Sequence, residues 1–227
     1  MNQLAVVCAT LHWKGWEECR NSWIKTATDS FSLFTIVGMK LPDAFQRGLE
    51  MSREPIVGLM HDDLVVNEAG WDQRVIREFD DPTVGLVGFG GALCFGTPDI
   101  YRTPYWSRQV ERRRFVSNMR DAEVHGQRFA GELDVAVLDG YAMFARREIL
   151  VQAGGWPIDT PIGYFMYDSW LCCESWRQGF RTRMVGVAID HLGWKSGGMK
   201  PGWRIQRDKA QRYIYDKYRD ILPLEAK

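Results

Sequence analysis

The sequence predicts an α/β fold, a mainly parallel sheet flanked by helices, on three observations. Short apolar runs alternate with segments of helical spacing through residue 90, the pattern of successive βαβ units. One of these runs, Pro55 to Met60, is apolar throughout and leads straight into His61-Asp62-Asp63, the arrangement of a buried strand that delivers polar residues at its end. Finally, 227 residues with 45% hydrophobic and 26% charged side chains, but only 22 Gly and 9 Pro, describe a single globular unit with a full core.

Each element follows in order. Leu4 to Thr10 reads as a strand, and Trp16, Cys19, Trp23 and Ala27 recur at helical spacing behind it. Leu33 to Val37 is a second strand. Pro42-Asp43 starts a helix through Met51, and the Pro55 to Met60 strand follows. Trp71, Val75 and Phe79 make another helical stripe, ended by Asp81-Pro82, before a strand over Val84 to Phe89. There the βαβ rhythm stops. Gly90 to Gly131 carries turn formers, aromatics and the basic cluster Arg108, Arg112, Arg113 and Arg114, and is too long for an ordinary connection. It reads as a functional excursion or as a solvated loop.

Val135 to Leu138, Asp139-Gly140 and Tyr141 to Ala145 read either as a hairpin or as one strand bent at Gly140. Arg146 to Ala153 is a short helix closed by Gly154-Gly155, and Ser169 to Gln178 a second one ended by Gly179. Arg183 to His191 is a late strand. Beyond the loop from Gly193 to Gly202, the pattern Trp203, Ala210, Ile214, Tyr218 predicts a last helix with a basic outer face. The chain divides into three stretches, 1–90, 91–193 and a C-terminal loop and helix (194–227), all within one domain.

Composition excludes several classes. Lys and Arg (29) balance Asp and Glu (29), so no net field draws the chain to duplex DNA or anionic lipid. The longest uncharged run, Pro82 to Pro98, is interrupted by five glycines and falls short of the roughly 20 apolar residues of a bilayer helix. No basic lead precedes the apolar N-terminal stretch, so a cytoplasmic protein is expected. Five cysteines without Cys-x-x-Cys spacing read as reduced core fillers.

Ligands of an open α/β sheet bind beyond the carboxyl ends of its strands, where His61-Asp62-Asp63 would lie. Adjacent carboxylates there offer hard oxygen ligands to Mg²⁺ or Mn²⁺, or simply make a polar turn. Asp168 fits the N-cap of a helix starting at Ser169, and equally a proton acceptor beside Tyr164, Phe165, Tyr167 and Trp170. His191 ends a strand as either a structural histidine or a metal ligand beside Asp63. A dinucleotide fingerprint at Gly88-Phe89-Gly90-Gly91 is set aside, because position 93 is Leu and the first strand is far away.

Three blocks in order carry a resemblance. PIVGLMHDDLVVNEAGWDQRVIREFDDPTVGLVG (Pro55 to Gly88), LDGYAMFARREILVQAGGWP (Leu138 to Pro157) and FMYDSWLCCESWRQGFRTRMVGVAIDHLG (Phe165 to Gly193) together resemble family 2 glycosyltransferases of the GT-A fold. The resemblance implies a Rossmann-like GT-A domain that moves a sugar, hexosyltransferase-like, from a nucleotide-sugar donor to a hydroxyl acceptor on a glycan, lipid-linked sugar or protein. It implies inversion with Mn²⁺ or Mg²⁺, and a UDP-sugar as the first expectation. Retaining chemistry, or an idle module that only binds nucleotide or glycan, are the alternatives. By position, Asp63 matches the metal-binding Asp, Asp62 the middle of the motif, Asp168 the catalytic base and His191 a third contact to metal or diphosphate. His61 departs from the usual first Asp, and as an imidazole would still meet a cation or touch the nucleotide. Tyr167 is a second departure, where an acid often precedes the base. Thr10 is expected at the base and ribose, and Asp139 near the sugar. Trp156 is either a stacking platform for a sugar ring or a core residue.

Overall fold

The computed structural model describes residues 2–11, 16–96, 129–192 and 201–226, and the backbone of 115–117. The first half runs β1 (Leu4–Thr10), α1 (Trp16–Thr26), β2 (Ser32–Val37), α2 (Leu41–Met51), β3 (Ile56–Met60), β4 (Leu64–Val66), α3 (Trp71–Glu78) and β5 (Val84–Gly88). Then come β6 (Gly90–Ala92), β7 (Cys94–Phe95), β8 (Phe115–Ser117), β9 (Glu132–Val135), β10 (Val137–Leu138) and β11 (Ala142–Arg146). The rest is α4 (Arg147–Gln152), α5 (Tyr167–Arg177), β12 (Arg181–Val185), β13 (Ile189–His191), α6 (Trp203–Lys217) and β14 (Leu224–Glu225).

The central sheet has seven strands in the order β2-β1-β3-β11-β5-β12-β9. Strands β2, β1, β3, β5 and β12 run one way, while β11 and β9 run against them. The expected mixed, mainly parallel α/β sheet is therefore present.

Period-two alternation in β1 sends Leu4, Val6 and Cys8 to one face and Val7 to the other. Trp16, Cys19 and Trp23 of α1 and Trp71 and Val75 of α3 cover the first face. Residues of α2, α4, α5 and α6, among them Phe45, Leu150, Leu171 and Ile214, cover the second. Trp71 sits among Phe31, Phe89 and Phe144, and its indole N–H donates to the Trp23 carbonyl at 3.1 Å, so its one polar atom is satisfied in the core. Helix α2 lies close enough to β1 that a Cβ on Gly48 would collide with the Val7 methyls. The last helix is tied to α5 by buried Glu174, which accepts from Tyr218 Oη at 2.5 Å and pairs with Lys217 Nζ at 2.8 Å.

Several expectations are corrected. The segment from Val135 to Ala145 is neither hairpin nor bent strand. β9 joins β12, β10 joins β6, and β11 inserts antiparallel between β3 and β5. The late strand is two: β12 stays in the central sheet, and after a break at 186–188 β13 pairs with β4. Helix α5 starts at Tyr167, with Met166 (φ 70°) at its N-cap, so Asp168 lies in the first turn and is not the cap. The rejection of a dinucleotide fingerprint at Gly88-Phe89-Gly90-Gly91 agrees with the structure, where the run passes from β5 into β6 with no helix opening there.

The basic cluster Arg108, Arg112, Arg113 and Arg114 lies outside the described residues, as does most of the loop after Leu192. All five cysteines are buried and free of disulfides. Among the described residues no helix is long and apolar enough to cross a membrane.

Candidate active site

β3 ends at the carboxyl edge of the sheet, and the next residue, His61, is fixed there by its backbone N–H, which donates to the Tyr141 carbonyl at 2.9 Å. A turn at Asp62 and Asp63 leads into β4. β13 runs antiparallel to β4 with His191 opposite Leu64, and the Leu192 N–H donates to the Asp63 carbonyl at 2.9 Å. That short pairing brings a late histidine to the end of the third strand.

The side chains converge. His191 Nε2 lies 3.2 Å and His61 Nδ1 3.9 Å from Asp63 Oδ1. One ligand atom from each of His61, Asp63 and His191 falls within 4.8 Å of the others. Asp63 Oδ1 is buried, and among the described residues no donor meets it in full hydrogen-bond geometry, His191 Nε2 standing off at 3.2 Å. A buried carboxylate oxygen without a donor is costly, and two imidazoles facing it complete a nitrogen and oxygen donor set that suits a first-row divalent ion. The residues therefore fit a metal.

Electrostatics favour the same state. Burial holds His61 neutral, its pKa lowered to about 4 despite the nearby Asp63 carboxylate. Burial pushes Asp63 up, but His191 and His61 together outweigh it, and the carboxyl ends below its usual value. A neutral imidazole and an ionised carboxylate are the forms that bind metal.

Tyr167 reaches this cluster from the first turn of α5, where Asp168 is the next residue. His61 Nε2 is 2.7 Å from Tyr167 Oη, which donates to the Gly140 carbonyl at 3.0 Å. Asp168 Oδ1 accepts from the Ser169 N–H at 2.6 Å. Its pKa is raised from 3.8 to about 6, first by burial and then by the charge of Asp139. A carboxylate tuned upward in this way is a better proton acceptor near neutral pH.

The structure brings His61, Asp63 and His191 into one cluster; the charges of Asp62 and Asp63 both reach the exposed phenol of Tyr164, and those of Asp63, Asp139 and Asp168 all reach Tyr167. Thr10 closes β1 at the same sheet edge, where its side chain is buried and its carbonyl accepts from the Gly38 N–H. Trp156 is a correction: it is buried between Phe45 and Trp170, at ring distances of 5.1 and 5.4 Å, and fills the core rather than offering a face to a sugar. Tyr141, whose ring lies 5.4 Å from that of His191, and Gly140 were not legible as site residues. The signal for Tyr167 was present only as a departure from a motif. A cavity of 590 Å³ lined by Trp16, Glu17, Arg20 and Phe31, among others, shares no lining residue with this cluster.

No family model and no curated protein matches the sequence. The fold does have solved counterparts. It is similar to "Mannosyltransferase PcManGT from Pyrobaculum calidifontis in complex with GDP-Man and Mn2+", with a TM-score of 0.63 and 17% identity over 99% of this chain and 66% of that one. The chain therefore spans just under two thirds of that protein. It is also similar to A197 from STIV, with a TM-score of 0.50 and 13% identity, covering 83% of each chain. At these identities the likeness is one of fold.

Proposed function

We propose that this domain is a metal-assisted glycosyltransferase, which moves a sugar from a nucleotide-diphosphate donor to a hydroxyl acceptor. The observation that carries the reading is the contact between His61 and Tyr167, which ties the metal-competent cluster at the end of β3 to the helix turn that carries Asp168, a half-buried aspartate with raised pKa. The similar fold of a mannosyltransferase in complex with GDP-Man and Mn²⁺ supports it.

Asp63, His191 and His61 would hold the ion, whose chemistry is to offset the negative charge that develops on the departing diphosphate. Asp168 is assigned as the base. As the acceptor oxygen attacks the anomeric carbon and the bond to the diphosphate breaks, Asp168 takes the hydroxyl proton. A single displacement of this kind inverts the anomeric centre. Asp139 keeps the base's pKa high, and with Asp62 it is assigned to the donor. The end of β1 at Thr10 is assigned to the nucleotide.

The comparisons give no support to a UDP-sugar in particular, and the donor to test first is GDP-mannose, the ligand in the mannosyltransferase complex. The test is a thermal-shift screen of nucleotide sugars with Mn²⁺, since a ligand of the folded state raises its apparent stability. Donor turnover with varied acceptors follows. A donor that both stabilises the protein and is consumed supports the proposal. Binding without turnover marks an idle module, and neither effect across the panel contradicts the reading altogether.

A further inference from the structure

Two residues that depart from the family pattern, His61 and Tyr167, touch each other. Their contact is built so that the hydrogens can be counted. A phenol has one hydrogen, and Tyr167 Oη has two neighbours, the Gly140 carbonyl at 3.0 Å and His61 Nε2 at 2.7 Å. The carbonyl can only accept, so the phenol donates to it. The same phenol oxygen is then left to accept, and His61 Nε2 must carry the hydrogen. The opposite assignment would put two lone-pair-bearing oxygens face to face in a buried site, which is unfavourable.

With one ring nitrogen protonated, a neutral imidazole leaves its other nitrogen bare. That nitrogen is His61 Nδ1, the atom on the Asp63 side of the ring, at 3.9 Å from Oδ1. This is beyond hydrogen-bond range, and both atoms are acceptors. A cation held between two acceptors at this separation would satisfy both. Glycine at 140 leaves room for the phenol, because a Cβ there would collide with the Tyr167 hydroxyl.

We propose that Tyr167, held by the Gly140 carbonyl, is a positioning residue that locks His61 in the Nε2–H tautomer and so presents Nδ1 as a metal ligand. The inference rests on the metal reading above and deepens it. An imidazole in place of an acid at position 61 needs an outside acceptor to choose its tautomer, and the tyrosine at 167 supplies one. Residues that hold a ligating histidine through its second nitrogen have this role in metal sites generally.

The test uses the full chain in two measurements. Long-range ¹H–¹⁵N NMR of histidine-labelled, metal-free protein reads the His61 tautomer directly. The expected result is a hydrogen on Nε2, and a hydrogen on Nδ1 overturns the proposal. Mn²⁺ alone is then titrated, by electron paramagnetic resonance of the free ion, into wild type and Tyr167→Phe. The phenylalanine variant is expected to show mixed tautomers and to bind Mn²⁺ about 10- to 100-fold more weakly. An unchanged tautomer with unchanged affinity overturns the lock. A wild type that holds the Nε2–H tautomer but binds no Mn²⁺ supports the lock and overturns the metal reading, so the two failures are distinguishable.

Discussion

His191 Nε2 stands 3.2 Å from Asp63 Oδ1 because β13 pairs antiparallel with β4 and ends opposite the residue that follows Asp63. Two three-residue strands thus do what no single motif does. They fold a late histidine onto the turn that leaves the third central strand.

Removing the shared oxygen should dismantle the ion's site. Asp63→Ala is expected to weaken Mn²⁺ binding, and with it Mn²⁺-dependent donor binding, by at least about 10-fold, in line with the loss of a metal ligand. Calorimetric titration of donor with and without Mn²⁺ checks this. Equal donor affinity in the variant and wild type would point to another site.

Ion preference follows from the donor atoms. Two imidazoles and one carboxylate favour Mn²⁺ or Co²⁺ over Mg²⁺, which takes oxygen ligands and dehydrates reluctantly. Donor binding should accordingly be stronger with Mn²⁺ than with Mg²⁺, and His61→Asp should narrow the difference. A wild type that works equally well with Mg²⁺ contradicts the role given to the imidazoles.

Asp168→Asn should abolish transfer and leave donor affinity nearly intact, since the amide oxygen still accepts from Ser169 N–H but takes no proton. In wild type, the transfer rate should rise with pH through the carboxyl's value of about 6 and level off above it. Full activity in the variant, or a rate that falls across that window, removes Asp168 as base.

The same substitution should stabilise the fold. With its carboxyl pKa raised from 3.8 to about 6, the native state binds more protons than the unfolded chain between those values, so this residue's contribution to stability falls as pH rises through them. Above pH 7 the cost of the buried charge is fully present. Asp168→Asn removes it, for a gain on the order of 1 to 3 kcal/mol. Thermal unfolding at pH 8 and pH 4 reads the effect, which should be larger at pH 8; a variant less stable than wild type at pH 8 contradicts it.

Trp156 separates packing from binding. Trp156→Ala should cost about 3 to 5 kcal/mol, as for other buried tryptophans. The milder Trp156→Phe should lower the unfolding temperature yet leave donor affinity unchanged. Lost donor affinity in a folded Trp156→Phe would return the indole to the sugar.

Much of this fold was legible because its strongest signals are local. The Trp16, Cys19, Trp23 stripe and the apolar run ending at His61-Asp62-Asp63 each dictate an element from neighbouring residues alone. The unread parts depend on distant partners. β4 and β13 are too short for periodicity to show, and β11 takes its place between β3 and β5 only in the assembled sheet. The late strand breaks where the Gly186 N–H turns to the Gly131 carbonyl and the Ala188 N–H to Glu68. Asp168 was given a cap's role by its residue type, but left-handed Met166 opens the helix instead. The resemblance groups Asp63, His191 and His61 around a metal and makes Asp168 the base, with Tyr167 only a departure from the pattern. The contact of His61 with Tyr167 was hidden, because a hydrogen bond between side chains 106 residues apart leaves no trace in either motif.

The most direct measurement is an anomalous difference map from crystals grown with Mn²⁺ and GDP-mannose. The account predicts a strong peak bonded to Asp63 Oδ1, His191 Nε2 and His61 Nδ1, with the donor's diphosphate on it and the sugar toward Asp168. A peak held by other residues, or a donor bound away from these side chains, would contradict it.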